Sequence, residues 1–325
     1  MSLPRVFVTR KVPDRAVERL SAHADVTVWP DPLPPSQADL HTAIAGCHGV
    51  LTLLSDAVDT AFMNAAGESL RVISQFAVGY NNIDVDTATA RGIAVGNTPD
   101  VLTDATADLA ISLLLAAARN MKQGIDDVRD GKWKTWEPIG YMGQGLAGKT
   151  LGIIGMGRIG LATAQRLMGG WGMRCLYTSR SDKPDADAAG AQRTDLETLL
   201  RESDVVSIHT DLNESTRQMI NHETIAWMRP HAVLVNTARG GVIDQDALAA
   251  ALHNRKIFAA GLDVTDPEPL PPDHALVQLE NCVILPHVGS GTIEARNNMA
   301  DIAANNIIAG LKGDPLPCAV NEPLR

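Results

Sequence analysis

The 325-residue chain is poor in aromatic residues, at 4%, and holds only four cysteines. Cys47, Cys175, Cys282 and Cys318 stand far apart and form no Cys-x-x-Cys pair. That spacing excludes a zinc ribbon or other metal-ligand framework and a disulfide scaffold, and it suits a reducing, cytoplasmic compartment. Basic residues are in deficit, with 28 Lys and Arg against 38 Asp and Glu, for a net charge of −10. A general nucleic-acid surface needs a basic face, so no nucleic-acid partner is expected. An anionic ligand would have to be held by local donors, because the overall field repels it. Long apolar runs are also missing. The most apolar stretch, Leu109 to Ala118, has ten residues. That is too short to span a bilayer and reads as a buried helix, so no membrane association is expected. The opening Met-Ser-Leu-Pro-Arg-Val-Phe-Val-Thr-Arg is already strand-like and is not a signal peptide. With few aromatics, Ala, Val, Leu and Ile must fill the core. An apolar content of 45% is enough for one, and the length allows two domains.

Strand and helix patterns alternate along the first hundred residues. Arg5 to Thr9, Val26 to Trp29, Gly49 to Leu53, Val72 to Gln75 and Ile93 to Gly96 read as strands, and Asp14 to Ala22 as a helix that starts after Pro13. Asn97-Thr-Pro-Asp100 interrupts the pattern, and one long helix is expected from Thr103 to Met121. Strands then recur at Leu151 to Ile154, Arg174 to Thr178, Val205 to His209, Ala232 to Asn236, Phe258 to Val264 and Cys282 to Leu285, and a last helix covers Gly291 to Leu311. Alternation of this kind implies parallel sheets covered by helices. The expected fold is α/β, with two doubly wound, Rossmann-like domains, the second inserted into the first, and an active-site cleft between them. Residues 1–99 with 287–325 would form the substrate-binding domain, and 100–286 the dinucleotide-binding domain.

The insertion point is marked by Gly155-Met-Gly157-Arg158-Ile159-Gly160, which follows an apolar strand and opens a helix. In that context the three glycines are a dinucleotide fingerprint. Gly155 allows the tight turn, Gly157 lets the backbone approach a pyrophosphate, and Gly160 lets the helix pack closely on the strand. The helix N-terminus offers N–H groups to the phosphates. A unit that prefers NAD ends its second strand with an acid that bonds the ribose 2′-OH. Here that place reads Tyr177-Thr-Ser179-Arg180-Ser-Asp-Lys183, with no acid at the strand end. Arg binds a 2′-phosphate that a carboxylate would repel, so NADP, as NADPH, is expected over NAD. The plainer alternative is that Arg180 is a solvated loop charge balanced by Asp182. The missing acid also disfavours S-adenosylmethionine.

Polar residues gather where later strands end, in Asn236-Thr-Ala-Arg239-Gly, Asp263-Val-Thr-Asp-Pro-Glu268-Pro and Pro286-His287-Val-Gly-Ser290. In a doubly wound domain such ends line the ligand crevice. An Arg there can hold a carboxylate through paired hydrogen bonds. A His can protonate a carbonyl oxygen as hydride arrives at carbon. A Glu can hold the imidazole and favour its charged form. Arg239, Glu268 and His287 are the catalytic candidates. Taken singly, each could equally be a cap, a solvated loop charge or a loop hydrogen-bonder; their joint placement after the glycine loop carries the reading.

These segments, with Gly79-Tyr-Asn-Asn-Ile-Asp84, resemble the motifs of the D-isomer-specific 2-hydroxyacid dehydrogenases over nearly the whole chain, and Leu102-Thr-Asp-Ala-Thr-Ala-Asp-Leu-Ala110 is most similar to the glyoxylate/hydroxypyruvate reductase branch. The resemblance implies that Arg239 binds the substrate carboxylate and carbonyl, that His287 is the acid/base and that Glu268 is its partner. It implies that the Val78 and Gly79 amides cradle the carboxylate, that Leu54 walls the pocket and that Ser290 lies beside His287. Asp263 would lie near the nicotinamide carboxamide, Thr237 and Ala238 would line the ring pocket, and His209 and Thr210 would lie on the adenosine side. A homodimer formed through the nucleotide domains is also implied, with Trp133 to Trp136 reaching the neighbouring subunit or simply packing in the interface. The expected activity is NADPH-dependent reduction of glyoxylate and hydroxypyruvate. The alternatives are another 2-oxo acid, such as pyruvate, phenylpyruvate or a branched-chain acid, or a nucleotide-sensing binding protein of the same fold. A formate dehydrogenase is disfavoured, because that related branch carries Gln as the His partner.

Overall fold

The computed structural model describes residues 3–322. The chain divides into two compact units, one formed by the chain up to Leu102 together with the stretch from Gly291 onward, the other by Thr103–Ser290. The division falls a few residues beyond the expected crossing points at 99 and 286. Thr103 opens a helix of the second unit, and the loop after Pro286 is tied back to Asp263 of that same unit.

The first unit is built on β1 (Arg5–Val8), β2 (Asp25–Val28), β3 (Gly49–Thr52), β4 (Val72–Gln75) and β5 (Ala94–Gly96), parallel and in the order β2-β1-β3-β4-β5. The register aligns Phe7, Val50, Ile73 and Val95 in one row across the sheet, and all four belong to one buried core cluster. Every residue of β3 and β4 is buried, as expected of central parallel strands covered on both faces. The helix Ile293–Lys312 is capped by Thr292, whose side chain accepts from the Ala295 amide, and it ends at Gly313 in the left-handed region. It packs on β3 and β4. Close approach is needed there, because a Cβ at Gly310 would lie 2.5 Å from the Val72 side chain.

The second unit carries β6 (Thr150–Ile154), β7 (Arg174–Thr178), β8 (Gln192–Arg193), β9 (Val205–Ile208), β10 (Val233–Asn236), β11 (Ala259–Leu262) and β12 (Cys282–Ile284). They form a parallel sheet in the order β12-β11-β10-β9-β6-β7-β8. Counted from β6, this is the 3-2-1-4-5-6 order of a dinucleotide fold with one further strand. Neighbouring residues point to opposite faces. Val233 and Val235 join one core cluster while Leu234 joins another, and Ile153 and Ile154 divide the same way. The sheet is therefore buried on both faces, which is why its strands read as apolar runs rather than alternating ones.

The structure departs from the sequence reading in particular places. The helix expected from Thr103 to Met121 runs from Thr103 to Ala118, and a second helix, Met121–Arg129, follows it after Asn120, which adopts a left-handed φ of 50°. Asn tolerates that conformation better than most residues, and the second helix buries none of its residues, so it carries no buried apolar face. β8 was not foreseen, because its two residues are exposed and carry no apolar signal. No helix among the described residues is long and apolar enough to cross a membrane.

Candidate active site

The order of the second sheet reverses between β6 and β9, and this is where a doubly wound sheet opens a crevice at its strand ends. Gly155 leaves β6 with φ at 94°. A Cβ there would lie 2.7 Å from the carbonyl of His209, which follows β9. Gly160 is constrained in a similar way, since its Cβ would lie 2.5 Å from the Gly155 oxygen. Gly157 differs. A Cβ there would meet no protein atom within 4 Å, so the protein's own packing does not require this glycine. Arg158 and Ile159 open the helix Arg158–Trp171, whose N-cap is Gly157. The bare backbone at Gly157, directed at open space and placed at a helix N-terminus, fits a pyrophosphate. A second feature fits a bound cofactor: Thr237 Oγ1, just after β10, is buried without a hydrogen-bond partner. Buried hydroxyls are normally satisfied, so an orphan in the site calls for a ligand group.

The β7 end positions Ser179 and Arg180. The Arg180 side chain is 85% exposed, and its guanidinium is 3.9 Å from Asp211. Arg193 on β8 pairs with Asp182 and donates to the carbonyls of Ser179 at 2.8 Å and Arg180 at 3.4 Å. Arg193 therefore fixes the backbone of this loop, a role that its exposed strand gave no reason to expect. His209 Nε2 is 2.8 Å from Ser207 Oγ, and burial pushes its pKa down to about 4, so the ring is neutral at physiological pH. Thr210 follows it.

Arg239, Glu268 and His287 come together at the ends of β10, β11 and β12. Asn236, fully buried at the end of β10, shapes the first loop. It donates to the Arg239 carbonyl at 2.9 Å and accepts from the Ala238 amide at 2.9 Å. Gly240 lets this loop cross the next one, since a Cβ there would lie 2.0 Å from the Thr265 carbonyl carbon. Burial pulls the Arg239 pKa down, and the negative charges of Glu268 and Asp211 oppose that shift. In the second loop Glu268 Oε1 accepts from the Thr265 amide at 3.1 Å, and Gln245 braces the loop by accepting from the Asp266 amide at 3.0 Å. Glu268 Oε2 is 2.8 Å from His287 Nδ1. Burial raises the Glu268 pKa, but the bond and charge of His287, the Thr265 amide and Arg239 outweigh it, so the net shift is downward. Glu268 therefore stays ionised below the usual carboxylate range. His287 has a left-handed φ of 54°. Asp263 holds that turn: its carbonyl accepts from the His287 amide at 2.9 Å, and its carboxylate accepts from Val288 at 2.8 Å and Gly289 at 2.7 Å. Ser290 closes the same segment.

In the first unit, Leu54 follows β3, and Val78 and Gly79 follow β4. The Val78 carbonyl accepts from Asn97 Nδ2 at 2.8 Å and that of Gly79 from Gln75 Nε2 at 3.4 Å. Among the described residues, the Val78 and Gly79 amides donate to no protein group. Successive half-buried N–H groups of this kind suit an anion.

A glycine loop at the switch point of a parallel sheet, with an Arg and a hydrogen-bonded Glu–His pair on the following strand ends, is the arrangement of a nucleotide-binding oxidoreductase. Comparison with known proteins narrows this. Residues 111–289 match the family model described as "D-isomer specific 2-hydroxyacid dehydrogenase, NAD binding domain". The chain is 46% identical to a glyoxylate reductase of Korarchaeum cryptofilum over 98% of this chain and 96% of that protein. It is 46% identical to the human glyoxylate reductase/hydroxypyruvate reductase over 97% of both. A solved NADPH-dependent glyoxylate/hydroxypyruvate reductase from Sinorhizobium meliloti, in complex with NADP and malonate, has a TM-score of 0.86 at 34% identity, covering 100% of this chain and 99% of that one. The chain belongs to the D-isomer-specific 2-hydroxyacid dehydrogenases, and its second unit is the family's nicotinamide-dinucleotide domain.

Proposed function

We propose that the protein reduces glyoxylate and hydroxypyruvate to glycolate and D-glycerate with NADPH. The observation that carries this reading is the 2.8 Å contact between Glu268 and His287 within electrostatic reach of Arg239, in a chain similar throughout to glyoxylate reductases. Arg239 binds the carboxylate of the 2-oxo acid and polarises its carbonyl. In the first unit, the roles carried over from the family are carboxylate binding for the Val78 and Gly79 amides and a substrate wall for Leu54. With Nδ1 directed to Glu268, His287 offers Nε2 to the carbonyl oxygen and gives it a proton. The cofactor supplies the hydride that the carbonyl carbon receives. One proton and one hydride thus convert the 2-oxo acid to the 2-hydroxy acid. Glu268 stabilises the imidazolium before transfer and keeps the ring oriented after it.

The preference for NADPH is supported by the absence of an acid after β7, by Ser179 and Arg180 in its place, and by the NADP bound in the Sinorhizobium meliloti relative. A homodimer is supported by exposed apolar side chains of the second unit, among them Ile125, Val128, Trp133, Trp136, Ile139 and Met142. An apolar surface of this kind, on one helix and the loop after it, marks an interaction site. The reading is tested by kcat/KM for NADPH and NADH with glyoxylate, hydroxypyruvate, pyruvate and phenylpyruvate. Highest efficiency with NADPH and with glyoxylate and hydroxypyruvate supports it. A clear NADH preference rejects the cofactor assignment, and activity confined to phenylpyruvate rejects the substrate assignment.

A further inference from the structure

The first unit contains a buried amide network for which the proposed chemistry has no direct use. β3 ends at Thr52 and β4 at Gln75, neighbours in register. Thr52 Oγ1 donates to Gln75 Oε1 at 2.7 Å, and both residues are fully buried. Gln75 Nε2 donates to Asn82 Oδ1 at 2.9 Å and to the Gly79 carbonyl at 3.4 Å. Asn82 Nδ2 then crosses to the other loop, donating to the carbonyls of Leu53 at 3.1 Å and Asp56 at 2.8 Å. Both amide hydrogens of Asn82 and its oxygen are therefore engaged. The loop they reach is itself a closed turn, because the Leu53 amide donates to Asp56 Oδ2 at 2.8 Å and Thr9 Oγ1 donates to the same oxygen at 2.6 Å.

We infer that Asn82 is a positioning residue for substrate, clamping the Leu53–Asp56 turn to the Val78–Gly79 loop so that the Leu54 wall and the carboxylate-binding amides keep a fixed separation. The inference rests on the roles proposed above for Leu54, Val78 and Gly79. Each loop is locally ordered by its own bonds. Beside the backbone bonds of Val58 with Asn82 and Asp84, the Asn82 side chain, with Gln75 behind it, joins the turn itself to the loop. Only a side-chain amide of this length supplies two donors on one side and an acceptor on the other. Asp at this position would set a carboxylate against two carbonyl oxygens, and Ala would take the side-chain donor from the Asp56 carbonyl and one of the two bonds at the Leu53 carbonyl and the Gln75 amide. Asn82 touches no reacting atom in this scheme. Its effect falls on the geometry of ground-state binding, where small misplacements are costly.

The test compares wild type, Asn82→Ala and Asn82→Asp for KM and kcat with glyoxylate and phenylpyruvate, and for NADPH affinity by fluorescence without substrate. The expected result is a rise of roughly tenfold or more in KM for glyoxylate. NADPH affinity should stay unchanged, and efficiency with phenylpyruvate relative to glyoxylate should increase as the two loops drift apart. A merely structural role would lower thermal stability and weaken NADPH and glyoxylate together, or leave KM untouched. Unchanged KM in a folded variant, or parallel loss of cofactor binding, overturns the inference while leaving the functional reading intact. A wild-type enzyme inactive with every acid overturns both. If Asn82→Ala does not fold, the near-isosteric Asn82→Asp carries the comparison.

Discussion

At the scale of single residues, the three glycines of the loop after β6 separate into distinct roles. Gly155 and Gly160 are required by the fold, because a Cβ at either meets backbone at 2.7 Å or less, whereas Gly157 has open space around it. Gly155→Ala and Gly160→Ala should therefore lower the melting temperature, and Gly157→Ala should melt near wild type while losing most of its NADPH affinity. Thermal denaturation and cofactor fluorescence on the same samples check this. A wild-type affinity in Gly157→Ala would remove the pyrophosphate from that position. The catalytic pair makes a second residue-scale prediction. Removing the proton donor with His287→Ala should reduce kcat for reduction by about 10²–10⁴-fold, with NADPH binding retained. Glu268→Gln keeps the shape but removes the carboxylate that holds His287 Nδ1, so kcat should fall with NADPH affinity retained. An unchanged kcat would remove Glu268 from the proposed pair.

At the scale of elements, the end of β9 links stability to pH. His209 is held neutral by burial, with its pKa lowered from 6.5 to about 4. Above the unfolded value both states leave the ring uncharged, and its contribution to stability is fully present. As pH falls from about 6.5 to about 4 the unfolded chain takes up a proton that the native ring refuses, and stability declines. His209→Asn should flatten that part of the melting-temperature profile; an identical slope in wild type and variant would place the linkage elsewhere. The strand ends also explain what could be read from sequence. The central strands β4, β6, β9 and β10 are short stretches rich in Val, Ile and Leu with a polar residue or glycine turn at or after their ends, so their positions and the motifs after them were legible. Exposed or conformational features were not. β8 is two exposed residues, and the helix Met121–Arg129 buries none of its side chains. Asn236, Gln245, Gln75 and Asn82 act through hydrogen bonds to backbone, which residue spacing does not encode. The one available signal was a polar amide closing a buried strand, as in Val-Ile-Ser-Gln75 and Val-Leu-Val-Asn236.

At the scale of the whole molecule, the net charge of −10 leaves an anionic substrate to be held by local donors, Arg239 being the one proposed, rather than by a general field. Burial raises the pKa of all four thiols, those of Cys175 and Cys282 to about 12, so they stay protonated at neutral pH. The exposed tryptophans of the second unit predict association. Light scattering should give the mass of a dimer, and Trp133→Glu with Trp136→Glu should shift it toward monomer; a monomeric wild type would contradict the interface. The central claim is that this chain is a 2-oxo acid reductase whose proton comes from His287. Its most direct test is the initial rate of NADPH oxidation with glyoxylate, measured side by side for wild type and His287→Ala. Rapid oxidation by the wild type and near-complete loss in the variant, with NADPH still bound, is the predicted result. Equal rates in the two proteins, or no oxidation by a wild type that binds NADPH tightly, would contradict it.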